Sequence, residues 1–260
     1  MAWSENHDLE ARADRLLPDQ RVKFLDIPYY LHLWAGENTR KRVLDFGCGS
    51  GLSAAGLALL QNSELVVGVD INSEAESCKT FLAENLQLSM PDNLVFEEIR
   101  PGQSTSYNGF DLVFSWSVFE HVNNRLYPSI LKQLLDKMNP GGLFFVQIAP
   151  LYFSPEGSHL WAIGYENWEH LINQTSDVQS DIETSEISAE DRASLWSMFR
   201  TLNRITADDL LERFGNAGFD CLRSQRDQTD KEVPHSLLRA YDRAALTTFQ
   251  IAALFQKPFR

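Results

Sequence analysis

The chain is predicted to fold as an α/β domain built on a doubly wound, mostly parallel seven-stranded sheet, with a helical cap inserted late. Three observations lead there. The stretch Val43-Leu44-Asp45-Phe46-Gly47-Cys48-Gly49-Ser50-Gly51 passes from β-prone residues through alternating glycines into the Ala- and Leu-rich Leu52–Leu60, which reads as strand, tight turn and helix. Leu65-Val66-Val67-Gly68-Val69-Asp70 is a continuous apolar run of the kind found in parallel strands buried on both faces. Beyond it, strand and helix patterns alternate, which argues for right-handed crossovers covering both faces of one sheet.

The totals suit a single domain over residues 1–260: the chain has 260 residues and is 43% apolar, enough for a sizeable core. Residues 1–14 are polar and acidic, unlike a secretory leader, and no apolar run is long enough for a membrane span, so a cytoplasmic location is expected. Cys48, Cys78 and Cys221 lack the spacing of a disulfide framework or zinc site. A formal net charge of -13 repels phosphate backbones and makes nucleic acid a poor partner. The basic triplet Arg40-Lys41-Arg42 reads as a solvated turn before the first strand, or else as a face toward an anionic substrate.

Taken in order, residues 9–34 are expected to be helical and broken once by Pro18, with Pro28 starting or kinking a second helix. Phe24, Tyr29, Tyr30 and Trp34 supply an apolar face for the sheet, with one or two free to close over a ligand. The first strand, glycine turn and helix follow, then the second strand ending in Asp70 and a helix over 72–86 capped by Asn72 or Ser73. Residues 94–96 form a short third strand, 101–108 a polar loop and 110–115 the fourth strand. Residues 126–138 have helical periodicity stopped by Asn139-Pro140-Gly141-Gly142, before a fifth strand over 143–149. Residues 150–204 interrupt the rhythm and read as a partly helical substrate cap, whose stretch 175–191, with six acids and no base, is expected to be mobile. A helix over 205–217 closed by Gly218, a strand over 219–226, a helical segment over 234–244 and a last strand over 246–255 complete the chain.

Ligands of such sheets bind at the carboxyl ends of the strands, where Gly47, Asp70 and Ser115 converge. A dinucleotide site wants Gly or Ala where this chain has Leu52, and Asp45 ill suits a pyrophosphate but suits a ligand carrying an amine; no Gly-Lys-Ser/Thr loop exists for ATP. Asp70 stands at the end of the second strand, where a carboxylate can accept two hydrogen bonds from a ribose diol.

At these residues the sequence resembles the class I S-adenosylmethionine-dependent methyltransferases, nearest to the small-molecule enzymes of the ubiquinone/menaquinone-biosynthesis type. The resemblance is strong over residues 40–150 and fainter from 205 onward. Residues 45–51 are similar to the family's first motif, Val69-Asp70-Ile71 to its second, 110–122 to the strand and turn bordering the methyl group, and 134–142 to the turn before the fifth strand. The resemblance implies a Rossmann-like methyltransferase fold and S-adenosylmethionine as cofactor. It places Asp45, Phe46, Gly47, Cys48 and Gly49 around the methionine part, Asp70 on the ribose, Ile71 on the adenine, and Ser115 near the methyl group. Two departures stand out. The acid that commonly meets the adenine amine is replaced near Ile99-Arg100. Ser117-Val118-Phe119-Glu120-His121 lacks the first carboxylate of a Glu-x-x-Glu-His metal site, so no metal is expected.

The cofactor carries the hard chemistry, and a hydroxyl acceptor additionally needs its proton removed, for which histidine is best matched. His159 in the cap, His121 at the mouth of the cofactor site and His170 beside Trp168 are the candidates, each with a plain packing alternative. Trp161, Trp168 and Trp196 either stack on an acceptor ring or pack in a core, and Glu120 and Glu166 either orient a base or are solvated acids. The expected reaction is O-methylation of a small-molecule or glycan hydroxyl, leaving S-adenosylhomocysteine. Its rivals are N- or C-methylation of a metabolite, a cofactor-binding scaffold or sensor that transfers nothing, and, less favoured, a dehydrogenase.

Overall fold

In the computed structural model, which describes residues 3–4, 6–72 and 75–259, the chain opens with helices α1 (His7–Ala13), α2 (Pro18–Arg21) and α3 (Ile27–Ala35). The break therefore falls before Pro18, which starts α2: a proline fits a first helical turn, where its missing N–H is not needed. A π-helical turn, Val22–Asp26, carries α2 into α3. Pro28 has no N–H to offer the Phe24 carbonyl, so the helix widens there instead of restarting.

The core then follows the predicted alternation: β1 (Arg42–Phe46), α4 (Leu52–Leu60), β2 (Leu65–Asp70), α5 (Ala75–Leu86), β3 (Leu94–Glu98), β4 (Phe110–Trp116), α6 (Tyr127–Lys137) and β5 (Met138–Ile148). Of the two residues expected to cap α5, Ser73 lies outside the described residues. The insertion contains α7 (Glu169–Ile172), α8 (Thr175–Thr184) and α9 (Ala189–Thr201), and the chain ends with α10 (Ala207–Asn216), β6 (Asp220–Gln228), α11 (Arg243–Thr247) and β7 (Thr248–Gln256).

The sheet has the order β3-β2-β1-β4-β5-β7-β6. Its first five strands are parallel, and β7 runs antiparallel to both β5 and β6, so the sheet is mixed. Side chains alternate across it. Val43, Val66, Leu112, Phe114 and Phe145 pack under the N-terminal helices, α4 and α5. Leu44, Val67, Val113, Phe144 and Val146 pack under α6 and α10. Strand order thus reverses between β1 and β4, and the crossovers on either side of that reversal lie on opposite faces, leaving a crevice at the carboxyl ends of these two strands.

Three expectations are corrected. Residues 139–142 do not stop before β5; they are its first part. Met138 pairs with Phe110, the register slips before Leu112, and Gly141 N–H donates to Lys257 O. Residues 234–244 are not one helix: a single 3₁₀ turn, Leu237–Arg239, is followed by α11, restarted where the Asp242 side chain accepts from Ala244 N–H.

The acidic stretch 175–191 is no loose loop but runs through α8 into α9. Its acids sit where helices want them. Asp177 closes a capping box with Gln174, Glu190 and Asp191 occupy the first turn of α9, and Ser188 accepts from Asp191 N–H. Val178, Ile182, Phe199 and Leu202 then bury themselves against Tyr152, Leu160 and Tyr165 in a core separate from the sheet's. Replacing the cap, Ser188→Ala, is expected to cost about 1 kcal/mol. Denaturant unfolding would show it, and an unchanged midpoint would mean that α9 does not begin there.

Candidate active site

The glycine loop after β1 lies across the end of β2. Gly47 and Cys48 N–H both donate to Val69 O, at 2.8 and 3.1 Å, and Gly49 N–H donates to Asp70 Oδ2 at 2.9 Å. The glycines divide their work. A Cβ on Gly47 would collide with Val118 and one on Gly51 with the Phe96 ring, so these two serve packing. Gly49, at φ +47°, faces open space with nothing within 4 Å of where its Cβ would stand. That is where a ligand can lie on bare backbone.

Two carboxylates flank this loop. Asp70 lines the cavity and accepts from both Gly49 and Asn72 N–H. Asp45 is buried behind it, only 2% exposed, and its Oδ2 has no hydrogen-bond partner. Burial, and then the neighbouring Asp70, push its pKa well above the ordinary carboxylate range. A cation placed between the two would relieve both effects. Cys48 is no nucleophile: burial and the same two acids push its thiol up.

A cavity of about 430 Å³ opens beside the loop. One wall carries Phe46, Gly47, Asp70 and Ile71, and Ile71 is 56% exposed, an apolar side chain without a protein partner for much of its surface. The cavity is also lined by Ile99, Arg100 and Gln103 after β3, where the resemblance lacks its adenine-contacting acid, and by Leu126 and Gln133 before and within α6. The loop after β3 is built, with Gln103 Oε1 accepting from Arg100 N–H at 3.1 Å and Glu97 accepting from Ser106 N–H at 3.0 Å. Beyond the place of Ile99-Arg100, its sequence signal is its position at the carboxyl end of a parallel strand.

The turn after β4 brings His121 into the same cavity. The turn opens at Ser117, whose φ of +52° is unusual for a residue with a side chain. The His159 ring, from the insertion, meets the His121 ring edge-on at 5.4 Å and Trp161 at 5.3 Å, while its Nε2 faces Pro150 O at 3.2 Å. Burial, then the neighbouring His159, lower the His121 pKa to about 4, and burial lowers that of His159. Burial thus favours the neutral form of both rings.

Other expected site residues lie elsewhere. Ser115 is fully buried and donates to Phe46 O at 2.9 Å, holding β4 to β1 without reaching the cavity. His170 is buried in the insertion with Nε2 on Tyr152 O at 2.6 Å. Trp168 is core, its Nε1 donating to Leu246 O, and Trp196 stacks on Phe199. Phe24 and Trp34 are buried, and Tyr30 packs edge-on against Trp116 and Phe145. The basic triplet is at the opposite end of β1, where Arg42 donates to Asn108 O. Glu166 is solvated, but Glu120 is not: it is 2% exposed and neither carboxylate oxygen has a partner. Burial raises its pKa to about 8.

Residues 12–224 match the sequence pattern of a family described as a methyltransferase domain. The chain belongs to this methyltransferase family. It is an S-adenosylmethionine-dependent methyltransferase, and S-adenosylmethionine is its cofactor. No curated protein sequence matches it. Among solved structures it is similar to an S-adenosylmethionine-dependent methyltransferase from Methanosarcina mazei (18% identity, 84% of this chain and 93% of that one, TM-score 0.53). It is similar to another from Mesorhizobium loti (16%, 88% and 96%, TM-score 0.53). The [4+2]-cyclase SpnF is also similar (15%, 90% and 82%, TM-score 0.52). At these identities the likeness is one of fold.

The residues of this methyltransferase fit the cofactor. The orphaned Oδ2 of Asp45 and the open face of Gly49 suit an amino-acid tail with its ammonium, and Asp70 and Ile71 suit the ribose and the base. Among the described residues no three His, Cys, Asp or Glu side chains are gathered for a metal ion.

Two tests follow from the buried acids. Asp45 has a raised folded pKa, so the stability it could contribute is lost as pH rises above its ordinary value near 3.8. Asp45→Asn should therefore raise the ligand-free melting temperature at pH 7, by roughly 2–8 °C, while weakening S-adenosylhomocysteine at least about tenfold. Thermal shift and calorimetry read the two effects, and tight binding by the variant would remove Asp45 from the site. Glu120 drains stability between pH 4.5 and about 8, whereas His121 and His170, both lowered to about 4, add stability as pH rises from 4 to 6.5. The difference between wild type and Glu120→Gln isolates the acid: urea midpoints at pH 5, 6.5 and 8 should diverge steadily in favour of the variant.

Proposed function

We propose that this methyltransferase methylates a hydroxyl group of a small molecule or sugar, with His121 as the base that takes the hydroxyl proton. The observation that carries the reading is an imidazole in the wall of the cavity beside the glycine loop, with a second imidazole edge-on against it at 5.4 Å. S-adenosylmethionine, when bound, supplies an electrophilic methyl group on a positively charged sulfur. The protein's part is to hold, align and keep water away.

Asp45 would balance the ammonium, Asp70 would accept from ribose hydroxyls with lone pairs that Gly49 and Asn72 leave free, and Ile71 would meet the base. His121 accepts the acceptor's proton at an unprotonated ring nitrogen while His159 fixes the plane of its ring. His170, held on Tyr152 O away from the cavity, drops out of the catalytic set. The expected cap over the site becomes a narrower proposal: the insertion contributes His159 and Trp161 at one end, while α8 and α9 pack on one another. A small acceptor fits the net charge of -13 better than nucleic acid does. Three free cysteines, and the lack among the described residues of any helix long and apolar enough to cross a membrane, fit a cytoplasmic protein.

A panel of hydroxylated metabolites and sugars incubated with methyl-labelled cofactor, read by mass spectrometry, identifies the acceptor. With it, His121→Ala should lose about 10²–10⁴-fold in kcat while S-adenosylhomocysteine affinity changes less than about threefold. Transfer to a nitrogen or carbon that needs no base would leave the variant near wild-type rate. A scaffold or sensor would bind the cofactor and methylate nothing in the panel.

A further inference from the structure

The turn 119–122 has neither a helix nor a strand ladder to satisfy its carbonyls, and Phe119 and Glu120 are buried. One residue supplies the partners. Asn203, just past the end of α9, donates from its backbone N–H to Glu120 O at 2.8 Å and from Nδ2 to Phe119 O at 2.5 Å and Val122 O at 2.9 Å. Its Oδ1 accepts from Ile205 N–H at 3.1 Å, which fixes which way the amide faces. Its own carbonyl accepts from Asn124 Nδ2 at 3.0 Å, and Asn124 Oδ1 accepts from Arg213 at 2.7 Å. The side-chain contacts to the turn bridge 84 and 81 residues of sequence.

The insertion therefore touches the turn at both ends, through His159 early and Asn203 late. We propose that Asn203 is a positioning residue that sets His121 in the cavity wall by binding three carbonyls of the turn that carries it. No other common side chain does the same work at this place: Asp has the shape but no donor, Leu the volume but no polar atom, and Gln is one methylene too long to keep both sets of bonds. The inference rests on the reading of His121 as the base, and the test separates the two.

The variants are Asn203→Leu and Asn203→Ala in the full chain. The first readout is the His121 imidazole in isotope-labelled protein, assigned by its loss in His121→Gln, with His159 as the titratable neighbour followed alongside. In wild type His121 should stay neutral down to about pH 4. In the variants its midpoint should rise by at least about one pH unit toward the solvent value, because the turn no longer holds the ring in its buried place. The second readout is turnover, where kcat should fall about tenfold or more with the KM for S-adenosylmethionine within about threefold. A folded variant with an unchanged His121 titration overturns the role given to Asn203. A moved titration with unchanged kcat supports the hold on the turn and overturns His121 as the base. Should both variants fail to fold, Asn124→Ala, which removes only the brace on the Asn203 carbonyl, decides: a smaller shift in the same direction supports the inference and none overturns it.

Discussion

The reversal of strand order at β1 constrains everything else at the site. Chain leaving β1 crosses to β2 on one face, and chain leaving β4 crosses to β5 on the other, so the two strands part at their carboxyl ends and nothing from the sheet fills the gap. The glycine loop has to turn sharply over Val69 to leave that gap open, and it does so with two backbone N–H groups on one carbonyl. Asp45 is the last inward residue before the turn. Its carboxylate ends up walled in with one oxygen unpaired, an arrangement that costs the fold unless the acid is protonated or a cation is supplied. A ligand's cation would answer that need, which is the role proposed for the cofactor's ammonium.

The insertion packs on the framework through Trp168, buried with Val233, Leu237 and Leu246, and reaches the turn after β4 through two further residues. Its helices α8 and α9 form a small core with Tyr152 and Tyr165 and do not line the cavity. Its beginning sets His159 against His121, at a φ of +58° that a histidine adopts only when held there. Its end sets Asn203 under the same turn.

Much of this was legible in the chain because local chemistry selects the residues concerned. The alternating glycines follow from the turn itself, two of them because a Cβ would strike Val118 or Phe96, and the apolar run of β2 follows from burial on both faces of the sheet. The misreadings have a common cause in position rather than composition. The stretch 175–191 looks unfolded when its six acids are summed, yet Asp177, Glu190 and Asp191 sit in first turns, where negative charge stabilises a helix. Ser115 stands at the right strand end but on the wrong side, turned onto Phe46 O, and no count of residues along β4 reveals which way it turns. Asn203 carries no signal at all, since its partners lie more than eighty positions away.

Glu120 sharpens the contrast with Asp45. Both are buried acids without full partners, yet Asp45 backs onto the cofactor loop and Glu120 faces away from the cavity, near the equally unpartnered Tyr127 hydroxyl and the Arg213 that lies over the Tyr127 ring at 4.7 Å. A cation brought by a ligand can compensate the first and not the second. Burial favours the protonated form of Glu120, and Asn203 binds its backbone carbonyl, not its side chain. The turn is thus held by its main chain while its buried acid is left neutral.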